Sequence, residues 1–344
     1  MRCPTLRELP PPPEGRTGWP WTEESPQLPE KAPDGQEWPK ISIITPSYQQ
    51  GQYIEETIRS VLLQGYPNIE YIVMDGGSSD NTLSVLNKYT DHVRWISEAD
   101  GGQVDAINKG WKRATGSILA YLNSDDTYVC GAINRVIRFF TARQDVDMIY
   151  GDIVHIDQRS EIITRCNPGP LDLERYLCCD YYLPQPTVFF RTKVTEEIGY
   201  LDPELNLAMD LDYWLRILRG HNVEYLPLVL ANARLYPDAK STSQKYKYLD
   251  ERLYILDKLF SSPELPPEIR ISKSKCYSTV YLQGACDYLE IGEANEFWEC
   301  FKKSLRSSQL NCLKLSISKL LTSLRVNGFE GIYNAVRSSK DQVH

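Results

Sequence analysis

From residue 41 to residue 122 the chain alternates two textures, short apolar runs and longer amphipathic stretches, with turn residues between them. The runs at 41–45, 69–74, 93–97 and 118–122 predict strands, and the stretches at 53–64, 81–89 and 104–114 predict helices. Strands that are apolar on both faces and separated by helices belong to a mostly parallel sheet covered on both sides, so the fold class is α/β. Further along, 148–156 and 161–165 read as a strand pair, 187–191 as a strand and 211–219 as a helix.

The flanks have other textures. Residues 1–39 carry ten prolines and the tryptophans Trp19, Trp21 and Trp38, which predicts an extended or disordered segment whose indoles are free to dock on the folded body. The central domain is expected over 40–243. Beyond it, 244–344 reads as a helical region, with a hairpin of the tetratricopeptide type over 281–305 turning at Gly292. Over 302–325 basic residues and a leucine-rich face coincide, a pattern suited to peripheral contact with an anionic membrane; a packed helix with a solvated basic face reads the same way.

In open parallel sheets, ligands bind beyond the carboxyl ends of the strands, so the residues at those ends carry the functional reading. The fourth run, ILAYL, ends in Asn123, Ser124, Asp125 and Asp126. Adjacent carboxylates at such a tip suit a hard divalent cation, Mg²⁺ or Mn²⁺, shared with substrate phosphates; taken alone, the same residues are ordinary turn or cap residues. The first run ends in Pro46, Ser47 and Tyr48, a loop whose ring suits stacking on a base. The second ends in Asp75 before Gly76 and Gly77, and Asp75 is expected to be left free to accept from a base or ribose.

Bulk properties narrow the field. The net charge is −8, from 38 Lys and Arg against 46 Asp and Glu, which does not favour nucleic acid as a partner. Nine cysteines without a Cys-x-x-Cys pair, and four histidines, fit neither a zinc site nor a disulfide framework, so reduced thiols in a cytoplasmic protein are expected. No secretory leader and no run of bilayer-spanning length is read. There is no Gly-x-Gly-x-x-Gly or Walker loop, so a nucleotide would have to be held by other means.

Four ordered stretches, SIITPSYQQGQYIEETIRSVLLQ, YIVMDGGSSDNT, SEADGGQVDAINKGWKRATGSILAYLNSDD and GYLDPELNLAMDLDYWLRIL, resemble the family 2 glycosyltransferases of the GT-A fold over about residues 41–243. The resemblance implies a Rossmann-like sheet and a nucleotide-sugar donor. It assigns Pro46, Ser47, Tyr48 and Asp75 to the nucleoside, and Asp100 and Asp105 to the nucleotide or to the loop over it. It also puts Asn123, Ser124 and Asp125 at the Asp-x-Asp position, with Asp125 as metal ligand and Asp126 as its neighbour or support. Asn123 departs from the acidic first position. Asp210, in AMDLDYW, falls where the family carries its general base, with Met209 replacing the preceding Glu. Tyr236 stands where many relatives have a histidine ligand, so Lys240 or water would help neutralise the diphosphate.

The same resemblance implies an inverting, non-processive transfer of one sugar, with UDP as the first choice of nucleotide, onto a surface-glycan or lipid-linked acceptor. Gln185 and Trp214, with Tyr181 and Tyr182, are the candidate acceptor contacts, although Trp214 equally suits a core. Two rival readings are an inactive nucleotide-sugar binder, which would not need Asp210, and a sugar nucleotidyltransferase. The latter should carry a basic Gly-rich loop where this chain has TPSYQQGQ.

Overall fold

The computed structural model describes residues 2–263 and 265–308 and divides into two compact units. The first comprises the chain up to Leu171 together with Leu183–Tyr236; the second comprises Asp172–Tyr182 and the chain from Pro237 onward. In chain order the first unit builds β1 (Ile41–Ser47), α1 (Ile54–Leu62), β2 (Ile69–Asp75), α2 (Thr82–Lys88), β3 (Arg94–Ser97), α3 (Gln103–Arg113) and β4 (Ile118–Tyr121). It continues through β5 (Thr127–Tyr128), α4 (Ala132–Ala142), β6 (Met148–Ile156) and β7 (Ile162–Cys166). Helix α5 (Leu173–Leu177) belongs to the second unit, and the first resumes with β8 (Phe189–Arg191), α6 (Lys193–Ile198), α7 (Met209–Leu218) and β9 (Val223–Arg234).

These strands form one sheet in the order β3-β2-β1-β4-β8-β6-β9-β5, with β7 on β6. The β3-β2-β1-β4 portion is parallel, and its seven-residue strands β1 and β2 are buried almost throughout, being mostly apolar, with Ser42 of β1 and Glu70 of β2 bonded to each other. Helix α3 lies close on β1: a Cβ at Gly110 would come within 2.5 Å of Ile44, so only glycine permits this packing. At β8 the sheet turns antiparallel. Strand β9, for which the sequence gives no clear strand signal, contains Pro227; its register against β6 jumps from Leu226 opposite Gly151 to Val229 opposite Asp152, so the proline sits in a bulge where no ladder donor is required.

The N-terminal segment is extended, with one 3₁₀ turn at Leu6–Glu8, and it is docked, not loose. Cys3, Leu9, Trp21 and Trp38 are buried, and Trp19 donates its indole N–H to the carbonyl of Tyr128 at 2.8 Å. The fastening group is Arg59 of α1, fully buried and bonded to the carbonyls of Pro10, Pro20 and Trp21.

In the second unit α8 (Lys240–Ser243), α9 (Tyr248–Ser261), α10 (Pro267–Arg270), α11 (Lys273–Glu290) and α12 (Ala294–Ser307) follow one another, and α11 packs on both α9 and α12. The α11–α12 hairpin turns at Gly292, whose φ of 82° is left-handed. Segment 172–182 joins this unit through Gln283, which donates to the carbonyl of Cys179 at 2.7 Å. The division thus falls at Pro237, with a short excursion at Asp172–Tyr182 that the 40–243 boundary did not anticipate. Of the basic segment at 302–325, residues 302–307 end α12; from 309 on it lies outside the described residues. No helix among the described residues is long and apolar enough to cross a membrane.

Candidate functional site

The loops after β1, β2, β3 and β4 all leave the same edge of the parallel portion, and they are bonded to one another. Gln49, in a left-handed backbone at φ 55°, ties the first loop to the second. Its N–H donates to Ser78 Oγ at 2.8 Å, while its side-chain carbonyl accepts from the N–H of Asp80 at 3.0 Å. Gly51 donates its N–H to Asp80 at 2.9 Å and packs so closely that a Cβ would lie 1.7 Å from Asn81 Oδ1. The result is a rigid pair of loops that leaves the Tyr48 ring 62% exposed. In the same stretch, Ser47 Oγ and Gln50 Oε1 are buried with no hydrogen-bond partner among the described residues, a cost of roughly 1–3 kcal/mol each.

Asp75 is at the tip of β2 but is not free. Its carboxylate accepts from Ser78 Oγ at 2.5 Å, Ser97 Oγ at 2.6 Å, the N–H of Ser78 at 2.9 Å and that of Gly77 at 3.2 Å. The expectation of an unengaged acceptor is therefore corrected: Asp75 organises the loops after β2 and β3. Asp100 caps its own loop by accepting from Gly102 at 2.8 Å and lies 3.0 Å from where a Gly76 Cβ would be, so it sits over the β2 tip. Asp105 accepts from Gly101 and pairs with Lys109 at 3.0 Å; the Gly101 N–H, then Lys109, hold its carboxyl below the ordinary value. It shapes the loop at the start of α3.

At the end of β4 the two carboxylates part company. Asp126 turns inward, is 5% exposed, and accepts from the Arg234 N–H at 2.9 Å and from Asn123 at 3.3 Å. Burial, and then the charge of Asp125, push its carboxyl well up. Asp125 is only half-buried and accepts the phenol O–H of Tyr236 at 2.8 Å; burial raises its carboxyl too, and Tyr236 offsets part of that rise. Thr57 of α1 donates its hydroxyl to the carbonyls of Ser124 and Asp126, at 2.9 and 2.7 Å, and so clamps this loop from below.

Three residues that carried no signal in isolation complete the arrangement. Arg234, with its side chain fully buried, donates to the Asp125 carbonyl at 2.9 Å, to the Asp157 carbonyl at 2.8 Å and to Glu56 at 3.2 Å, and lies over the Tyr53 ring. Glu56 of α1 is its buried counter-charge. Gln103 donates to Asn123 Oδ1 at 2.8 Å, linking α3 to the β4 tip. An arginine two residues before Tyr236 was the available clue.

The expected acceptor contacts fare differently. Trp214 is 1% exposed, against Phe190 and Tyr213, because α7 uses this face to cover the sheet, so it belongs to the core. Gln185, 7% exposed, donates to the Tyr121 carbonyl at 2.7 Å and meets Asn123 at 3.3 Å; it braces the β4 tip from behind. Tyr181, Tyr182 and Lys240 belong to the second unit. Asp210 occupies the first turn of α7, half-buried, with Oδ1 accepting the N–H of Leu211 at 2.8 Å.

As a cation site the β4 tip supplies one carboxylate, Asp125; no group of three or more His, Cys, Asp or Glu is disposed to hold a metal among the described residues. A single protein carboxylate fits an ion that takes its remaining ligands from phosphate and water, as Mg²⁺ does. It does not fit an all-protein cage.

Residues 42–191 match the family model described as glycosyl transferase family 2. An uncharacterized glycosyltransferase of Rickettsia typhi is 30% identical over 220 residues, which is 62% of this chain and 69% of that one. Another, from Rickettsia felis, is 30% identical over 217 residues, 59% of this chain but only 35% of its own length. Among solved structures, S. aureus TarS 1–349 in complex with UDP-GlcNAc superposes with a TM-score of 0.61 at 18% identity, covering 88% of this chain and 92% of that one. The mannosyltransferase PcManGT from Pyrobaculum calidifontis, in complex with GDP-Man and Mn²⁺, gives 0.56 at 15% identity over 89% and 87%. At these identities the structural likeness speaks for the fold.

Proposed function

The chain belongs to glycosyltransferase family 2 and has the GT-A fold, and on that premise we propose that it moves one sugar, with inversion, from a nucleotide-sugar donor, a UDP-sugar, to a hydroxyl of a surface-glycan or lipid-linked acceptor. The observation that carries this reading is the convergence at one sheet edge of an exposed ring, two unpartnered buried polar atoms and one partly open carboxylate. The UDP-GlcNAc complex of TarS and the GDP-Man and Mn²⁺ complex of PcManGT support a donor of this class.

In this reading Tyr48 stacks on the base, Pro46 lines its pocket, and Ser47 with Gln50 bonds the nucleoside. Asp75, Asp100 and Asp105 hold the surrounding loops in shape. Asn123 and Ser124 present the β4 tip to the donor, Asp125 would hold Mg²⁺ or Mn²⁺, and Asp126 supports it from within. A bound cation there neutralises charge developing on the leaving diphosphate. Asp210 takes the proton from the acceptor hydroxyl as that oxygen attacks the anomeric carbon on the face opposite the departing diphosphate. Its place in the first turn of α7 lets it act through proximity to that hydroxyl.

The test is to incubate the purified chain with Mn²⁺, a panel of UDP- and GDP-sugars and candidate acceptors, following nucleoside diphosphate release and thermal shift. One donor should raise the melting temperature and be consumed. Asp210→Asn should keep that shift while its release falls about 10²–10⁴-fold. Release unchanged in this variant would remove Asp210 from the chemistry.

A further inference from the structure

Within the second unit, segment 172–182 is tied to α11 at three places. Glu174 of α5 pairs with Lys275 at 2.8 Å, and the carbonyl of Cys179 accepts from Gln283 at 2.7 Å. At the third place the sulfurs of Cys178 and Cys276 face each other at 2.6 Å, although 98 residues separate them along the chain. Cys276 and Gln283 are seven positions apart on α11 and so share one face of it, which fixes the side on which Cys178 is held. Both cysteines are fully buried, and every described cysteine is a free thiol.

We propose that Cys178 and Cys276 are a modification site, a dithiol that hydrogen peroxide converts to a disulfide, stapling segment 172–182 to α11. The sulfurs have only to close to a bond length of about 2.0 Å, and the ties at Lys275 and Gln283 already hold the two backbones beside each other. One sulfur, as its thiolate, attacks the peroxide; the O–O bond breaks, leaving a sulfenic acid and water. The partner sulfur then displaces hydroxide from the sulfenic acid, the S–S bond forms, and the hydroxide takes up the partner's proton as a second water. Two thiols thus lose two electrons and two protons, and one peroxide is reduced to two waters. The contact with Cys178, and then burial, raise the Cys276 thiol, so the reaction proceeds through local opening of the five-residue α5, whose first turn is exposed, and is slow at neutral pH.

The test incubates the native full chain with a small excess of hydrogen peroxide, alkylates the remaining thiols in denaturant and maps the peptides by mass spectrometry. The expected product is a link between the peptides carrying Cys178 and Cys276, reversed by dithiothreitol. Oxidised wild type should melt about 4–16 °C above the reduced chain. Cys178→Ser and Cys276→Ser should lose both the link and the rise. Cys179→Ser should keep both, which separates two neighbours that share one tryptic peptide. Should a serine variant fail to fold by circular dichroism, fragmentation of the linked wild-type peptide makes the same distinction. Alkylated thiols or higher sulfur oxides at 178 and 276 in place of the link would overturn the proposal. A link made through Cys179, or one that leaves the melting temperature unchanged, would equally overturn it.

Discussion

Replacing Arg59 by Met should unfasten the N-terminal segment from the α/β unit. Arg59 has no exposed surface; it donates to the carbonyls of Pro10 at 2.9 Å, Pro20 at 3.0 Å and Trp21 at 2.9 Å, and its guanidinium lies 5.5 Å from the centre of the Trp21 ring. Met fills much of the same space but donates nothing. Three bonds to a charged donor, at about 1.5–3 kcal/mol each, set a gross loss of about 5–9 kcal/mol. Removing a desolvated cation returns part of this, so the net is about 3–5 kcal/mol. The loss has a ceiling, because the segment can peel away and rehydrate its carbonyls once detachment costs less than leaving them unpaired. At about 2–4 °C per kcal/mol for a unit of this size, the melting temperature should fall by about 6–20 °C. Limited trypsinolysis supplies the local readout: cleavage after Arg7, Arg16 and Lys31 should precede global unfolding in the variant and not in the wild type. A drop below about 2 °C together with an unchanged tryptic pattern would refute the fastening role.

Two further perturbations address the β4 tip. Since burial raises the Asp125 carboxyl and the Tyr236 phenol opposes that rise, Mn²⁺-dependent tightening of UDP binding should weaken as pH falls through this raised value. Tyr236→Phe should move the weakening to higher pH, and Asp125→Ala should abolish the Mn²⁺ effect without unfolding; calorimetric titrations across pH with identical midpoints in wild type and Tyr236→Phe would contradict this. Glu56→Gln strips the buried Arg234 of its counter-charge, 3.2 Å away, and should cost about 3–5 kcal/mol in urea unfolding. Adding Arg234→Met should recover part of that loss, whereas strictly additive losses would show that the two do not act as a pair.

The difference between what was readable along the chain and what was not follows the range of the interactions. Strands β1, β2 and β4 announce themselves because a strand buried on both faces is mostly apolar along its length, and the turn residues beyond them place Asp75 and Asp125 at strand ends. β9 did not, since its proline is tolerable only where β6 lets the register slip. Arg59 shows the same limit: its three carbonyl partners lie 38 to 49 residues away in a proline-rich stretch with no pattern of its own.

The sequence alone determined the α/β alternation and the order of acidic groups at strand tips, because these depend on local periodicity and on residue types at short spacing, and four ordered motifs carried the resemblance to the family. Only the tertiary structure decided which carboxylates are already occupied. Asp75 is consumed by Ser78 and Ser97, and Asp126 by the backbone of a residue 108 positions on, whereas Asp125 keeps a partly open face. A carboxylate's availability is set by the donors that folding brings to it, and those donors come from segments whose separation along the chain carries no trace of their meeting.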